Sequence, residues 1–386
     1  MDKELCILPF VGLYIRTDGN IYPCESVAWH TDIYCLGNLE THTLEEAWNA
    51  PAIKRLRQKI VKTGTCELST EQKNSCMYLI NHSLYEDTYK TFIEKTKEDG
   101  SYPFELQALF LERSNLCNLK CIYCCEQSSS AWEKETGVVT KKIPDEIYDE
   151  KLSPYLAKLK ELFLSGGEPV IHPYTFKILK FLKIINPNLE LGMATNLTYN
   201  FNKYKEFFKL YSSFKNAKIF CSIDIGGKQF EAIRVNSNWN TVENNLNELK
   251  KLNVKLYINS VMSILNVPYI KNFHKNLIDK NIIDVDSIRY LTLNGPECLD
   301  LVNLPENKKR EYSAYLLSYI SFLKAHESNK PNVDFYPNNK KPSTAIELIR
   351  QYMFKSSLLP SSFNYRDELI YLVSQETLGS LFAKAF

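Results

Sequence analysis

From about residue 105 onward, short runs of β-branched and aromatic residues alternate with longer stretches in which apolar positions recur every three or four residues. That alternation is the mark of parallel strands joined by crossover helices. It predicts strands over Glu105–Glu112, Glu161–Leu164, Leu189–Thr195, Ala217–Asp224, Val254–Ser263 and Val285–Leu293. Helices are predicted between them over Ile143–Lys160, Pro173–Ile185, Lys203–Phe214, Trp239–Leu252 and Tyr269–Lys280. Six such units predict an α/β chain folded as a partial (β/α)6 barrel. In parallel α/β architectures the carboxyl ends of the strands carry the chemistry, so the residues just after each strand matter most.

The flanks read differently. An alternating run over Gly12–Tyr22, broken at Asp18-Gly19-Asn20, predicts a β-hairpin, and Thr43 with Glu46 forms a capping-box pattern at the start of a helix. Residues 1 to about 100 are therefore read as a small separate hairpin/helix module, 101–300 as the barrel, and 301–386 as a helical extension over Lys308–His326 and Thr344–Ser356. No internal repeat is visible.

Composition narrows the function. With 47 Lys and Arg against 45 Asp and Glu, the net charge of +2 gives no electrostatic handle for nucleic acid or anionic lipid. Charges interrupt every long apolar stretch, so no transmembrane segment is expected, and the opening Met-Asp-Lys-Glu-Leu-Cys lacks the form of a secretion signal. The chain is read as soluble and cytoplasmic. Its eleven cysteines are then metal ligands or reactive thiols rather than a disulfide framework. Five fall at positions 6, 24, 35, 66 and 76 and four at 117, 121, 124 and 125, while Cys221 and Cys298 stand apart as small core residues. Two groups point to two metal centres.

The second group reads Cys117-Asn-Leu-Lys-Cys121-Ile-Tyr-Cys124, a C-x3-C-x2-C spacing directly after the first predicted barrel strand. Three thiolates hold three corners of a 4Fe-4S cube and leave one iron open, unlike the four-cysteine sites of most electron carriers. A zinc knuckle is the plain alternative. After the second strand comes Ser165-Gly166-Gly167-Glu168-Pro169, where glycines permit close backbone approach and a glutamate can accept from an ammonium group. The third strand ends in Thr195-Asn196 and the fourth in Ser222-Ile-Asp224-Ile-Gly, with Arg234 shortly after.

Together these motifs resemble the radical S-adenosylmethionine superfamily, with Tyr123 as the aromatic residue before the third cysteine. The resemblance implies that Cys117, Cys121 and Cys124 carry a catalytic 4Fe-4S cluster. Its open iron would chelate the methionine end of S-adenosylmethionine, and one electron would then release a 5′-deoxyadenosyl radical. It further implies that Gly166, Gly167, Glu168 and Pro169 meet the methionine amino group, that Asn196, Ser222 and Asp224 lie near the cofactor, and that Arg234 pairs with its carboxylate. Ile225 before Gly226 departs from the family's Ser-x-Asp-Gly strand end.

The amino-terminal cysteines flank the hairpin as C-x12-G-x4-C, from Cys6 through Gly19 to Cys24. With Cys6-Ile-Leu-Pro9-Phe10 and Leu36-Gly37-Asn38, this resembles the twitch and SPASM modules that hold auxiliary 4Fe-4S clusters, here placed ahead of the barrel. By that resemblance Cys6, Cys24, Cys66 and Cys76 hold a second 4Fe-4S cluster, although Cys66 and Cys76 have nine residues between them instead of the usual two. Cys35 is read as a buried structural thiol. The implied reaction is hydrogen abstraction from a peptide or small molecule, ending in oxidation or cross-linking, with epimerisation as the alternative outcome. A one-electron reductase such as flavodoxin or ferredoxin is the implied partner, and no nucleic acid or membrane is. From another class, the chain reads as a non-enzymatic iron–sulfur or zinc-binding protein on a barrel scaffold.

Overall fold

The computed structural model describes residues 6–28, 32–64, 66, 89–293, 295–328 and 341–355. All six predicted barrel strands are present: β4 (Ala108–Glu112), β6 (Glu161–Ser165), β7 (Glu190–Thr195), β8 (Asn216–Ser222), β10 (Lys255–Met262) and β11 (Ile288–Thr292). They pair in parallel with their sequence neighbours, in the order β11-β10-β8-β7-β6-β4. Helices Asp145–Leu156, Pro173–Ile185, Lys205–Tyr211, Trp239–Leu249 and Ile270–Asp279 form the crossovers. Each places its apolar stripe on the sheet, as Ile178, Leu179 and Leu182 do in the second of them.

The last strand is shorter than its apolar run, because Val285–Ser287 forms a 3-10 turn before it. Glu105–Gln107 likewise stays outside β4. Two short strands, β5 (Lys120–Cys121) and β9 (Arg234–Val235), pair with each other outside the main sheet.

At the amino terminus β1 (Gly12–Ile15) and β2 (Asn20–Tyr22) form the predicted hairpin, and β3 (Gly37–Asn38) adds to β2. The turn depends on Gly19 at φ +84° and on Asp18, whose carboxylate accepts from the backbone N–H of Asn20 at 3.0 Å. Sequence periodicity presents this region as a module apart, whereas in the structure β1 pairs in parallel with β4, Gly12 opposite Ala108 and Ile15 opposite Leu111. The hairpin thereby extends the barrel sheet to nine strands. All four β1 residues are buried, as a strand inside a parallel sheet requires. Gly12 permits the approach, since a Cβ there would sit 3.0 Å from that of Ala108. One hydrophobic core runs through both regions, from Leu13 and Tyr14 to Leu111 and Leu164.

Thr43 and Glu46 form the predicted capping box at the head of the Leu44–Trp48 helix. The extension supplies helices Glu306–His326 and Pro342–Tyr352, packed on each other and on β11. Ser356, the last position of the second predicted helix, lies outside the described residues. Among the described residues, no helix is long and apolar enough to cross a membrane.

Candidate functional site

A cavity of about 250 Å³ opens at the carboxyl ends of β4, β6, β7 and β8, and Cys117, Cys121 and Cys124 all line it. The loop carrying them is held by the chain itself. The Ser129 hydroxyl donates to the Leu119 carbonyl at 2.6 Å, the Trp132 indole to that of Cys121 at 3.0 Å, and the Asn115 amide to that of Glu126 at 2.8 Å. Among the described residues no three metal-binding side chains meet at an ion-sized point; the three thiols line the void instead.

Burial governs the chemistry of these thiols. It pushes Cys117 up to about 12, raises Cys124 well above the ordinary thiol value, and raises Cys121, although Arg234 opposes that last shift. Without a bound cation the thiolates are therefore disfavoured at neutral pH, and a metal centre is what would deprotonate them. The donor set, three desolvated sulfurs around one void, fits a three-cysteine 4Fe-4S cluster.

The loop after β6 fits against the cysteine loop backbone to backbone. Gly166 and Gly167 adopt φ +82° and +49°. A Cβ on Gly167 would lie 2.4 Å from the Leu116 carbonyl oxygen, and one on Gly166 2.8 Å from that of Ser114. The Glu168 N–H donates to the same Leu116 oxygen at 2.8 Å. Both glycines line the cavity. G167A should therefore cost about 1–3 kcal/mol of stability through strain and clash, measured by anaerobic chemical denaturation. Unchanged stability together with full iron content would show that the two loops can part without consequence.

Three sequence-predicted residues have hydrogen-bond partners within the chain. Glu168 is fully buried, with its carboxylate accepting from Asn196 N at 2.6 Å, Thr195 Oγ1 at 2.9 Å and Val170 N at 3.1 Å. It ties the β6 loop to the end of β7, and burial pushes it up to about 7. Asp224 accepts from Val261 N at 2.8 Å on one oxygen and from Tyr123 and Arg234 on the other. Both oxygens thus have partners within the chain. Arg234 lines the cavity and pairs with Asp224 at 2.9 Å.

Asn196 lines the cavity and donates its amide toward the Cys117 sulfur at 3.7 Å; Tyr123 and Ser222 line it too. Pro169 follows Glu168 in the turn before the Pro173–Ile185 helix.

Among the cavity-lining residues missed from sequence, two are carboxylic acids, Glu25 and Glu112. Burial pushes Glu25 up to about 8, with the Glu112 charge adding and Arg289 opposing, and burial pushes Glu112 up to about 7. Glu112 ends β4, so the strand-end rule could have found it. Glu25 follows Cys24, and nothing local tells that it reaches the barrel.

Of the amino-terminal cysteines, Cys24 and Cys66 are buried in the core and Cys6 packs half-buried against it; Cys76 lies outside the described residues. Cys35 is half-buried, with its thiol 3.6 Å from the Gly37 carbonyl. Cys125 is exposed, and Cys221 and Cys298 are buried, as small core residues would be.

Comparison with known proteins gives two matching domains. Residues 111–273 match the model of the Radical SAM superfamily and residues 6–77 that of the SPASM iron–sulfur cluster-binding domain. The chain thus carries a Radical SAM domain behind an amino-terminal SPASM domain, a combination that implies a 4Fe-4S cluster, S-adenosylmethionine and auxiliary iron–sulfur clusters. It is 22% identical over 243 residues to the GTP 3′,8-cyclase of Nautilia profundicola, an alignment covering 62% of each chain. Among solved structures it is similar to native anSMEcpe with bound AdoMet, with 19% identity and TM-score 0.44, covering 57% of this chain and 60% of that one. It is also similar to Streptococcus suis SuiB, with 17% identity and TM-score 0.43, covering 64% and 54%. The chain therefore spans less than two thirds of the length of these relatives.

Proposed function

We propose that this chain is a radical S-adenosylmethionine enzyme that cleaves its cofactor reductively and abstracts a hydrogen atom from a peptide or small molecule, which is then oxidised or cross-linked. The observation that carries the reading is the convergence of Cys117, Cys121 and Cys124 with Gly166, Gly167 and Asn196 on one cavity at the carboxyl ends of parallel strands. When bound, the cluster supplies one electron for cleavage of the carbon–sulfur bond of S-adenosylmethionine, and the protein supplies binding and orientation.

Cys117, Cys121 and Cys124 would hold the cluster, three ligands for a group that binds the cofactor. Gly166 and Gly167 bring backbone close to where the methionine end would lie, and Glu168 fixes their loop. Glu25 and Glu112 line the same cavity, and because burial favours their neutral forms they can donate as well as accept a hydrogen bond to the substrate. Cys6, Cys24, Cys66 and Cys76 would hold an auxiliary cluster, a group that would supply an acceptor for an electron of the substrate radical. A flavodoxin- or ferredoxin-like protein would be the electron donor.

The test is anaerobic reconstitution followed by reduction with S-adenosylmethionine present. Protein with about eight irons should form 5′-deoxyadenosine, and iron-replete, reduced protein that forms none would sink the proposal. C6A/C24A should lose about four irons while retaining cofactor cleavage without substrate, and turnover of the true substrate should fail. Unchanged iron in a variant shown to be folded by circular dichroism would mean that those cysteines carry no cluster.

A further inference from the structure

Arg234 stands at an unusual place. The two-residue strands β5 and β9 set Cys121 directly opposite Arg234 in an antiparallel pair, and Ile122 N donates to the Ile233 carbonyl at 3.0 Å to lock the register. This leaves the guanidinium beside the sulfur, with Nη1 donating to Cys121 Sγ at 3.8 Å.

The rest of the fork is clamped. Nε and Nη2 both lie 2.9 Å from Asp224 Oδ2, the Tyr123 hydroxyl donates to the same oxygen, and Val261 N holds Oδ1. Arg234 is 6% exposed and Asp224 1%, so the guanidinium lines the cavity while held in a buried ion pair. The sulfur of Cys117, by contrast, takes neutral donors, Leu119 N at 3.5 Å and the Asn196 amide at 3.7 Å.

A cationic donor fixed on a ligand sulfur, in surroundings of low dielectric, stabilises the form of a cluster that carries one more electron. Hydrogen bonds around the ligands are a recognised lever on the potential of such centres. We propose that Arg234 is a positioning residue that raises the reduction potential of a cluster held by Cys121, with Asp224, Tyr123 and the β5–β9 register keeping its N–H on the sulfur. The inference rests on the ligand assignment proposed above, and it gives Arg234 a task distinct from binding the cofactor carboxylate.

The test is a redox titration followed by electron paramagnetic resonance on anaerobically reconstituted protein without S-adenosylmethionine, alongside iron determination. The signal to follow is the one that disappears when Cys117, Cys121 and Cys124 are replaced. With equal iron, R234Q should show an oxidised-to-reduced ratio about tenfold higher at a fixed potential, equivalent to a midpoint about 59 mV more negative for a one-electron couple. R234K, which keeps the charge without the planar fork, should fall between R234Q and the unsubstituted protein.

An unchanged midpoint in iron-replete R234Q overturns the proposal, and unchanged midpoint with weakened S-adenosylmethionine binding would assign Arg234 to the cofactor carboxylate instead. If R234Q fails to fold or to hold iron, R234K decides: a more negative midpoint supports the proposal, and one coincident with the unsubstituted protein overturns it. Failure of the underlying reading looks different, since the unsubstituted protein would then take up no cluster on these cysteines.

Discussion

Replacing Cys117, Cys121 and Cys124 together by Ala should remove about four irons and abolish formation of 5′-deoxyadenosine, while leaving the fold intact. The fold should survive because the loop does not depend on its sulfurs. Its carbonyls are held by Ser129, Trp132 and Asn115, and its backbone by the β5–β9 pair and by the Leu116–Glu168 contact. Cys117 and Cys124 are partly exposed, and the thiols are disfavoured as thiolates by burial, so the metal-free loop loses little when sulfur is removed. Iron analysis, circular dichroism and product assay of the triple variant check this. Cleavage that survives would mean that the reacting cluster sits elsewhere, and loss of the circular dichroism signal would mean that the sulfurs also build the loop.

The second large effect concerns Glu168. Three protein donors end on its fully buried carboxylate. Each buried donor left unsatisfied costs about 1–3 kcal/mol, so E168A should lose roughly 3–5 kcal/mol and loosen the loop that supports the cysteine segment. E168Q should lose less, since one amide oxygen still accepts.

The pH dependence has a definite sign. Burial raises the folded-state value of Glu168 from 4.5 to about 7, so its contribution to stability is full below about 4.5 and is lost as pH rises through about 7. E168Q should flatten that part of the profile, as read by anaerobic denaturation across the window. An E168A variant as stable as the parent would show that the carboxylate does not tie the loop and is free to meet a ligand.

The chain's local patterns were enough for much of the architecture. Apolar positions at helical spacing placed Pro173–Ile185 to the residue, and the β-rich runs placed all six barrel strands. Burial on a face repeats with the period of the element that creates it, so it is written in neighbouring residues. The convergence of the three cysteines on one cavity was legible for a similar reason, because thiols on one short loop at a strand end need no distant partner to be brought together. The same local legibility holds for the Thr43–Glu46 capping box, whose two members are three residues apart.

Tertiary structure decided what depends on residues far apart in the chain. Nothing near Gly12 announces that β1 will pair with β4, some 96 residues on, because a strand's periodicity shows its faces and leaves its neighbour open. Glu25 reaches the barrel cavity through that same pairing. Glu168, Asp224 and Arg234 were read as candidate site residues from sequence. Their partners followed from packing that brings Asn196 within 2.6 Å of one carboxylate and the Cys121 sulfur within 3.8 Å of a guanidinium. A buried charge must find compensation within hydrogen-bond reach, and which group supplies it is settled when the elements dock, not by the motif in which the charge is written.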